Sequence, residues 1–241
     1  MQAVPARDGT LLGGRVRYAQ PATGFRSGIE PVLLAGYVPA SAGARVFEAG
    51  SGAGAALLCL AARVPGVLGT GLEMDPALAA LATENATANG FTGLSFLAGD
   101  VLGALAPGPF DHAFANPPYH RSSGSASPDP GRERAKRAPP GLLAAWTGAL
   151  ARRVRIGGSV SLVLSAPAMP EALAALGGAG MGRLELMPLW PFAGRAAKLV
   201  LLRGIRGGRG AFAVLPGLVL HRPGGGFTAA AEAVLREGAG L

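Results

Sequence analysis

The stretch ARVFEAGSGAGAALLCLAARV, residues 44–64, joins a β-rich run to a run with helical apolar spacing through three closely spaced glycines. Glycines in such a loop let the backbone approach a ligand closely, and the N-terminus of the next helix favours a carboxylate or a phosphate. The Gly-x-Gly-x-Gly pattern alone is expected about once by chance in a chain this rich in glycine. Its place between a strand and a helix carries the prediction of a ligand-binding loop at Gly50, Gly52 and Gly54.

The rest of the chain continues this alternation of strands and helices. GVLGTGLEMD has a strand pattern and PALAALATENATANG a helix pattern, and LSFLAGD, FDHAFANPPY and SVSLVLSAP add strands. A helix at PGLLAAWTGALARRV is expected to end at Gly157 and Gly158, while MGRLELMPLW and AAKLVLLRG favour an antiparallel edge hairpin. Repeated units of this kind predict an α/β fold, with a Rossmann-like, doubly wound, mostly parallel seven-stranded sheet in one domain over residues 1–241.

Acidic side chains follow the second and third strands of this pattern. In an open α/β sheet the ligand lies beyond the carboxyl ends of the strands, so these loops belong together. Glu73 can accept hydrogen bonds from both ribose hydroxyls, and Asp100, followed by apolar Val101 and Leu102, suits an adenine whose amine donates to the carboxylate. The two loops predict a cofactor that contains adenosine.

Other interpretations of these loops stay open. Glu73 would also cap the helix that follows it, and Asp100 would cap a short helix at VLGAL. A nicotinamide dinucleotide is a competing ligand, because Gly50, Gly52 and Ala55 satisfy a relaxed G-x-G-x-x-G/A pattern.

The fourth strand runs into Asn116, Pro117, Pro118 and Tyr119. Asparagine and tyrosine each occur only three times in the chain, so shuffling this composition would produce Asn-Pro-Pro-Tyr about three times in ten thousand chains. Prolines fix φ and donate no backbone hydrogen bond, so they end the strand and hold the preceding carbonyl rigidly. The motif therefore predicts a functional loop.

The chain is strongly basic, with a net charge of +8 over 241 residues. Residues 121–137 lack apolar periodicity and are predicted to form a loop that contacts nucleic-acid phosphates. A solvated surface loop, and a codon bias toward arginine, are the alternatives. The basic residues of this loop are Arg121, Arg132, Arg134, Lys136 and Arg137.

The sequence also predicts several absences. No apolar run approaches the ~18 residues that span a bilayer, and the N-terminus does not resemble a signal peptide, so a cytoplasmic protein is expected, as a monomer. The three histidines and the one cysteine have no metal-ligand spacing. Trp146 and Trp190 lie in apolar runs and are predicted to be core residues.

Together VFEAGSGAG, GLEMD, LAGDV and NPPY resemble the motifs of class I S-adenosylmethionine-dependent methyltransferases that methylate amino groups. GFRSGIEPVLLAGYVP resembles the segment before the glycine motif in the bacterial tRNA(Val) adenine-37 N6-methyltransferase family, and the similarity covers nearly the whole chain. Glu30 and Glu48 stand where relatives often have aspartate. The resemblance implies S-adenosylmethionine as the cofactor and residues 1–40 as a flanking segment. The cofactor-binding residues would be Arg26, Gly28, Glu30, Glu48, Gly50, Gly52, Gly54, Glu73, Met74, Asp100, Val101 and Asn116.

The resemblance also implies how the Asn-Pro-Pro-Tyr motif acts. The Asn116 side-chain oxygen and the Pro117 carbonyl would accept both N–H bonds of a planar nitrogen and direct its lone pair at the methyl donor. Tyr119 would stack on the substrate. The implied catalytic residues are Asn116, Pro117 and Tyr119, and the implied substrate-binding residues are Pro118, Tyr119, Arg121, Arg132, Arg134, Lys136 and Arg137.

Several families that methylate a planar nitrogen share this motif, so the motif does not identify the substrate. Basic charge and the flanking similarity favour tRNA as the partner and an adenine N6 as the acceptor, which predicts a tRNA-processing enzyme. A glutamine N5-methyltransferase of a release factor and an rRNA guanine N2-methyltransferase are the alternatives. An NAD-dependent oxidoreductase is the alternative from another class.

Overall fold

The computed structural model describes residues 6–22, 28–103, 108–118, 139 and 141–241. Within these residues a nine-stranded sheet carries helices on both faces. The strands are β1 (Ala6–Leu11), β2 (Val16–Pro21), β3 (Arg45–Ala49), β4 (Leu68–Glu73), β5 (Leu94–Ala98), β6 (Phe110–Ala115), β7 (Val154–Ser165), β8 (Met181–Trp190), β9 (Leu199–Arg206), β10 (Ala213–Val214) and β11 (Leu218–Val219). The helices are α1 (Glu30–Tyr37), α2 (Ala55–Arg63), α3 (Pro76–Ala88), α4 (Leu142–Arg153), α5 (Met169–Gly178) and α6 (Ala229–Glu237).

The strand order of the large sheet is β10-β8-β9-β7-β6-β3-β4-β5, and β11 also pairs with β8. Strands β3 to β7 run parallel to one another. Strand β9 is antiparallel to both β7 and β8, so β8 and β9 form the expected hairpin. The predicted α/β fold with a mostly parallel sheet is confirmed.

The predicted number of strands is corrected from seven to nine. Strands β3 to β9 are the seven expected ones, and β10 and β11 pair with β8 on the side away from β9. Each has only two residues, too few to show an alternating pattern in the sequence. They pair with backbone groups of β8 that an edge strand would otherwise leave open.

Residues near the N-terminus form a second, two-stranded antiparallel sheet. Ala6 of β1 pairs with Pro21 of β2, and Leu11 pairs with Val16 across the tight turn Leu12–Gly14. The sequence predicted only a flanking segment here. The hairpin shows no clear alternation because β1 is exposed over almost its whole length.

Alternate residues of the central strands enter two apolar cores, one on each face of the sheet, as the two-residue period of a strand requires. On β3, Val46 packs into the core shared with α1, α2, α3 and α6. Its neighbour Phe47 packs into the core shared with α4 and α5. Both side chains are fully buried, so β3 is anchored from both sides and its carboxyl end is held in place.

Helix α4 ends earlier than the sequence predicted. It ends at Arg153, and Gly157 and Gly158 lie inside β7. The pairing between β6 and β7 shifts register near this point. Gly157 has a φ of +79°, and a Cβ on Gly158 would lie 2.6 Å from the Asp111 carbonyl oxygen. The two glycines therefore permit an irregularity in the strand and do not end the helix.

Asn85 of α3 and Asn89, the C-cap of that helix, take the place of a strand partner for β2. The Asn85 side chain accepts from the Ala19 N–H and donates to the Ala19 carbonyl, both at 2.8 Å. One turn later, Asn89 makes the same pair of bonds with Arg17, at 2.8 and 2.7 Å. Asn85 also donates to the Ala53 carbonyl in the glycine loop at 3.0 Å. This buried amide therefore connects the N-terminal hairpin to the loop.

Replacing Asn85 with alanine is expected to lower the free energy of unfolding by about 2–3 kcal/mol, because buried backbone groups of Ala19 and Ala53 lose their partners. Asn89→Ala is the matched control. Water can replace its bonds at a more exposed position, so a loss of about 1 kcal/mol or less is expected. Urea unfolding at neutral pH measures both, and equal losses would contradict the connecting role of Asn85.

Candidate active site

Four strand ends lie side by side at one edge of the sheet. Ala49, the last residue of β3, pairs with Leu72 of β4 on one side and with Ala115 of β6 on the other. Glu73, which ends β4, pairs with Ala98, which ends β5. The loops after β3, β4, β5 and β6 are therefore neighbours, as the sequence predicted, and they form the candidate site.

The glycine loop turns sharply over the end of β4. The N–H groups of Gly50 and Ser51 both donate to the Leu72 carbonyl, at 2.8 and 3.1 Å. Gly50, Gly52 and Gly54 have φ angles of 67°, 53° and 90°, a region that side chains other than glycine rarely adopt. A Cβ at Gly52 would meet no atom within 4 Å, so the loop backbone is open to a ligand there.

Glu73 holds this loop and does not cap α3. Its Oε2 accepts from the Gly52 N–H at 2.9 Å, and its Oε1 accepts from the Asp75 N–H at 3.0 Å. Asp75 is the N-cap of α3, since its Oδ1 accepts from the Ala77 N–H at 2.9 Å. Each Glu73 oxygen keeps a second acceptor site, so the carboxylate can bind ribose hydroxyls while it fixes the loop.

The loop after β5 combines a carboxylate with apolar side chains. Asp100 Oδ1 accepts from the Leu102 N–H at 2.9 Å, so one of its oxygens caps a turn. Val101 is buried, whereas Leu102 is 45% exposed and Met74, in the adjacent loop, is 71% exposed. Exposed apolar side chains next to a carboxylate would offer an adenine apolar surface to pack on and an acceptor for its amine.

Glu48 lies beneath the glycine loop. It is 4% exposed, and its Oε2 accepts from the Leu57 N–H in the first turn of α2 at 3.2 Å. Burial raises the pKa of this carboxyl well above its usual range, against the Leu57 hydrogen bond that lowers it, and the nearby charge of Glu73 raises it further. Glu48 therefore supports the start of α2 from the buried side of the loop.

Asn116 and Pro117 directly follow β6, beside the glycine loop. Asn116 is half-buried, and its side chain makes no hydrogen bond within the described ranges. Pro117 is buried and Pro118 is half-buried. An amide at a strand end with no partner in the described part of the chain leaves its acceptor available to a substrate, which is the role predicted for Asn116.

Trp146 of α4 packs against the core, as predicted, and also borders this site. It is half-buried, and a Cβ on Gly50 would lie 2.8 Å from its Cη2 atom. The indole therefore packs directly against the glycine loop, next to the end of β6. Nothing in the apolar run around Trp146 signals this contact, because Gly50 is far away in the sequence.

The remaining predicted residues divide into two groups. Gly28 and Glu30 lie at the start of α1, and a Cβ on Gly28 would overlap Glu30 Oε2. Gly28 also lines a cavity of about 440 Å³ with the turn Leu12–Gly14 and Arg236 of α6. The predictions for Arg26, Tyr119, Arg121, Arg132, Arg134, Lys136 and Arg137 lie outside the described residues.

The described residues contain neither a metal-binding cluster nor a membrane-spanning helix. No cluster of three or more His, Cys, Asp or Glu side chains in this part of the chain could hold a metal ion. None of its helices is long and apolar enough to cross a membrane.

Comparison with known proteins identifies the fold. Residues 31–130 match the family model described as Methyltransferase small domain, a span that includes Gly50, Glu73, Asp100 and Asn116. A predicted O-methyltransferase from Agrobacterium tumefaciens has a TM-score of 0.72 at 24% identity, over 88% of this chain and 98% of that chain. The fold is that of the class I S-adenosylmethionine-dependent methyltransferases.

Two further matches are to enzymes whose names state a substrate. The T. thermophilus 16S rRNA N2 G1207 methyltransferase, solved with AdoMet and guanosine, has a TM-score of 0.58 at 21% identity, over 83% of this chain and 50% of that chain. The release factor glutamine methyltransferase of Rhodospirillum rubrum is 39% identical over 89 residues, which are 36% of this chain. This match covers 27% of the length of that curated relative.

The predicted cofactor, S-adenosylmethionine, is the one that the methyltransferase fold and the matched family model indicate. The hydrogen-bond acceptors and the open glycine loop of this chain fit that cofactor. Glu73 offers acceptors for a ribose, Asp100 offers one for an adenine amine, and Gly52 leaves room for the ligand. The cofactor alone does not identify the substrate of this chain.

Glu73→Gln is expected to weaken the binding of S-adenosylmethionine by about tenfold or more, because a hydrogen bond to a charged acceptor contributes about 1.5–3 kcal/mol. The neutral amide also replaces one acceptor of the loop N–H groups by a donor. Asp75→Asn is the matched control, since asparagine is an equally good N-cap. Calorimetric titration measures both, and unchanged affinity in Glu73→Gln would exclude the ribose role.

Glu48→Gln tests the effect of the buried carboxyl on stability. The pKa of Glu48 is raised in the folded state, so its contribution is fully present below the unfolded pKa of about 4.3 and is lost as the pH rises. Glutamine keeps an acceptor for the Leu57 N–H and does not ionise. The free energy of unfolding of Glu48→Gln relative to the unmodified chain should therefore increase from about pH 5 to about pH 8. A constant or falling difference in denaturant titrations would contradict this.

Proposed function

We propose that this chain is an S-adenosylmethionine-dependent N-methyltransferase that acts on a planar nitrogen. The observation that carries the proposal is the Asn116 amide, which has no hydrogen-bond partner among the described residues, follows β6 next to the glycine loop and is itself followed by two prolines. The methyltransferase fold and the family match over residues 31–130 support it.

The chemistry of a planar nitrogen explains why an amide is useful here. The lone pair of an amide or aromatic amine is delocalised, so the nitrogen is a poor nucleophile until its N–H bonds are held. The Asn116 oxygen and the Pro117 carbonyl are two acceptors at adjacent positions that would hold them. S-adenosylmethionine, when bound, supplies an electrophilic methyl group on a sulfonium. Polar acceptors around the nitrogen favour the positive charge that develops on it.

The two prolines make this pair of acceptors rigid. Each fixes its own φ near −65°, and neither has an N–H that would compete for the acceptors. Pro117 is buried, which restricts the movement of its carbonyl. Fixed acceptors lower the entropy that the substrate loses when it reaches a reactive orientation.

A glutamine side-chain amide is the first candidate for the acceptor. The curated relative from Rhodospirillum rubrum is named as a glutamine methyltransferase of release factors, and the two sequences are 39% identical over the matched residues. A primary amide presents a planar nitrogen with two N–H bonds, which fits the two acceptors at Asn116 and Pro117. This acceptor was an alternative in the sequence analysis, and the relative supports it more directly than the tRNA adenine.

An adenine N6 of tRNA is the second candidate, and the basic charge of the chain favours it. A net charge of +8 suits a polyanionic partner. The amine of adenine has the same planar geometry and the same two N–H bonds as an amide. A guanine N2 in rRNA belongs to this candidate as well, because it is a nucleobase amine in an RNA.

Asn116→Ala is expected to lower the rate of methyl transfer in a single turnover by about 10²-fold or more, the scale seen when a positioned transition-state partner is removed. The affinity for S-adenosylmethionine should stay nearly unchanged, because the amide acts on the acceptor. Asn116→Asp keeps an acceptor oxygen and should retain more activity than Asn116→Ala. A wild-type rate in Asn116→Ala would show that the residue only ends the strand.

Labelled S-adenosylmethionine separates the two acceptors. Methyl transfer is measured in parallel to a release factor, to unmodified tRNA and to rRNA. Label in the release factor supports the glutamine amide, and label in RNA supports the nucleobase amine. Absence of label in all three, with the cofactor bound, would contradict N-methylation of these acceptor classes.

A further inference from the structure

A second group of side chains lies at the same edge of the sheet as Asn116. Strand β8 ends at Trp190 and β9 begins at Leu199, which pairs with Ser165 at the end of β7. Because β7 runs parallel to β6, the connection 191–198 leaves the sheet at its carboxyl edge. Two strand spacings of about 4.8 Å and a short stagger place it roughly 10–15 Å from Asn116.

This connection meets the segment that follows β11. The ring of Phe192 lies 5.6 Å from that of His221, measured between centroids, and His221 stacks on Phe227 at 4.9 Å. We term the surface formed by the connection and this segment the basic edge. Its members are Phe192, Arg195, Lys198, His221 and Arg222.

The basic edge has positive charge without compensation. No Asp or Glu occurs anywhere in residues 186–228. Arg195, Lys198 and Arg222 are exposed, and their side chains make no hydrogen bond or ion pair within the residues that the structure describes. By contrast, Arg203 in the same stretch pairs with Glu185. Three free cations on one short surface attract an anionic partner.

The same surface contains an apolar recess. A cavity of about 420 Å³ is lined by Phe192, Lys198 and His221, together with Leu189, Pro191, Leu199, Leu220 and Gly225. Phe192 is 43% exposed although it is a large apolar side chain. An aromatic platform bordered by cations is the combination that binds single-stranded nucleic acid, where bases stack and phosphates pair with charges.

We propose that the basic edge binds an unpaired stretch of RNA next to the methyl-transfer site. A base stacks on Phe192 and His221 in the recess, and the neighbouring phosphates contact Arg195, Lys198 and Arg222. An acidic protein segment would use the three cations but has no need of the aromatic platform, so the observations favour RNA. The position beside a methyl-transfer site rests on the function proposed above, whereas the binding itself is tested without that reaction.

A pair of charge-matched variants tests the phosphate contacts. Arg195→Gln, Lys198→Gln and Arg222→Gln together remove the cations of the basic edge. Arg152→Gln, Arg183→Gln and Arg209→Gln together remove the same charge from exposed side chains near the opposite edge of the sheet. Binding of polyuridylate is measured by fluorescence anisotropy over a series of salt concentrations, without S-adenosylmethionine. The first variant should reduce the slope of log K against log salt by about 2, since each lost contact with a single strand removes about 0.7.

The control variant is expected to leave that slope nearly unchanged. Equal effects of the two variants would mean that only total charge matters, and no effect of the first would remove the basic edge from RNA binding. Either result would overturn the proposal.

Phe192→Ala tests the stacking separately. It should weaken polyuridylate binding by about tenfold and leave the salt slope unchanged, because the ring contacts a base and not a phosphate. Polyglutamate serves as the acidic-protein probe. If polyglutamate bound as tightly as polyuridylate and Phe192→Ala affected neither, the surface would be a protein-docking site and the RNA proposal would be wrong.

Discussion

The backbone N–H of Gly52 donates to Glu73 at 2.9 Å, while the N–H groups of Gly50 and Ser51 both donate to the carbonyl of Leu72. These three bonds fold the glycine loop over the end of β4. They need a left-handed backbone at Gly50 and Gly52 and an acceptor at the last residue of the neighbouring strand. The expected cofactor site depends on this arrangement, because the carboxylate that holds the loop is also the one predicted to accept from a ribose.

The loop is supported from two further sides. Below it, Glu48 is buried against the start of α2 and accepts from the Leu57 N–H. Beside it, Asn85 donates to the Ala53 carbonyl and also holds the N-terminal hairpin through Ala19. The hairpin, α3 and the loop are therefore one connected unit. A disturbance of the hairpin would therefore reach the glycine loop through Asn85.

The features that the sequence predicted correctly are local ones. The strand, glycine loop and helix around β3 follow from adjacent residues, and the positions of Glu73, Asp100 and Asn116 follow from the rule that parallel strands end at one edge. The missed features depend on residues that are distant in the sequence. Asn85 meets β2 across 66 residues, Trp146 packs on Gly50 from α4, and the two-residue strands β10 and β11 are fixed by the open edge of β8.

The two candidate acceptors present the same nitrogen geometry to Asn116 and Pro117, so the reacting loop alone does not select between them. On the proposal made above, selection would depend on the surface farther along the sheet edge, where the aromatic and cationic side chains around Phe192 and Lys198 lie. The same reacting loop would then serve either acceptor, and the surrounding surface would decide whether a protein or an RNA is bound.

A crystal structure of the chain with S-adenosylhomocysteine tests the arrangement of the site most directly. The ribose hydroxyls are expected on Glu73, the adenine beside Asp100 between Met74 and Leu102, and the sulfur atom toward Asn116. An adenosine bound at other loops, with Glu73 still accepting only from backbone N–H groups, would contradict the assignment of this edge as the methyl-transfer site.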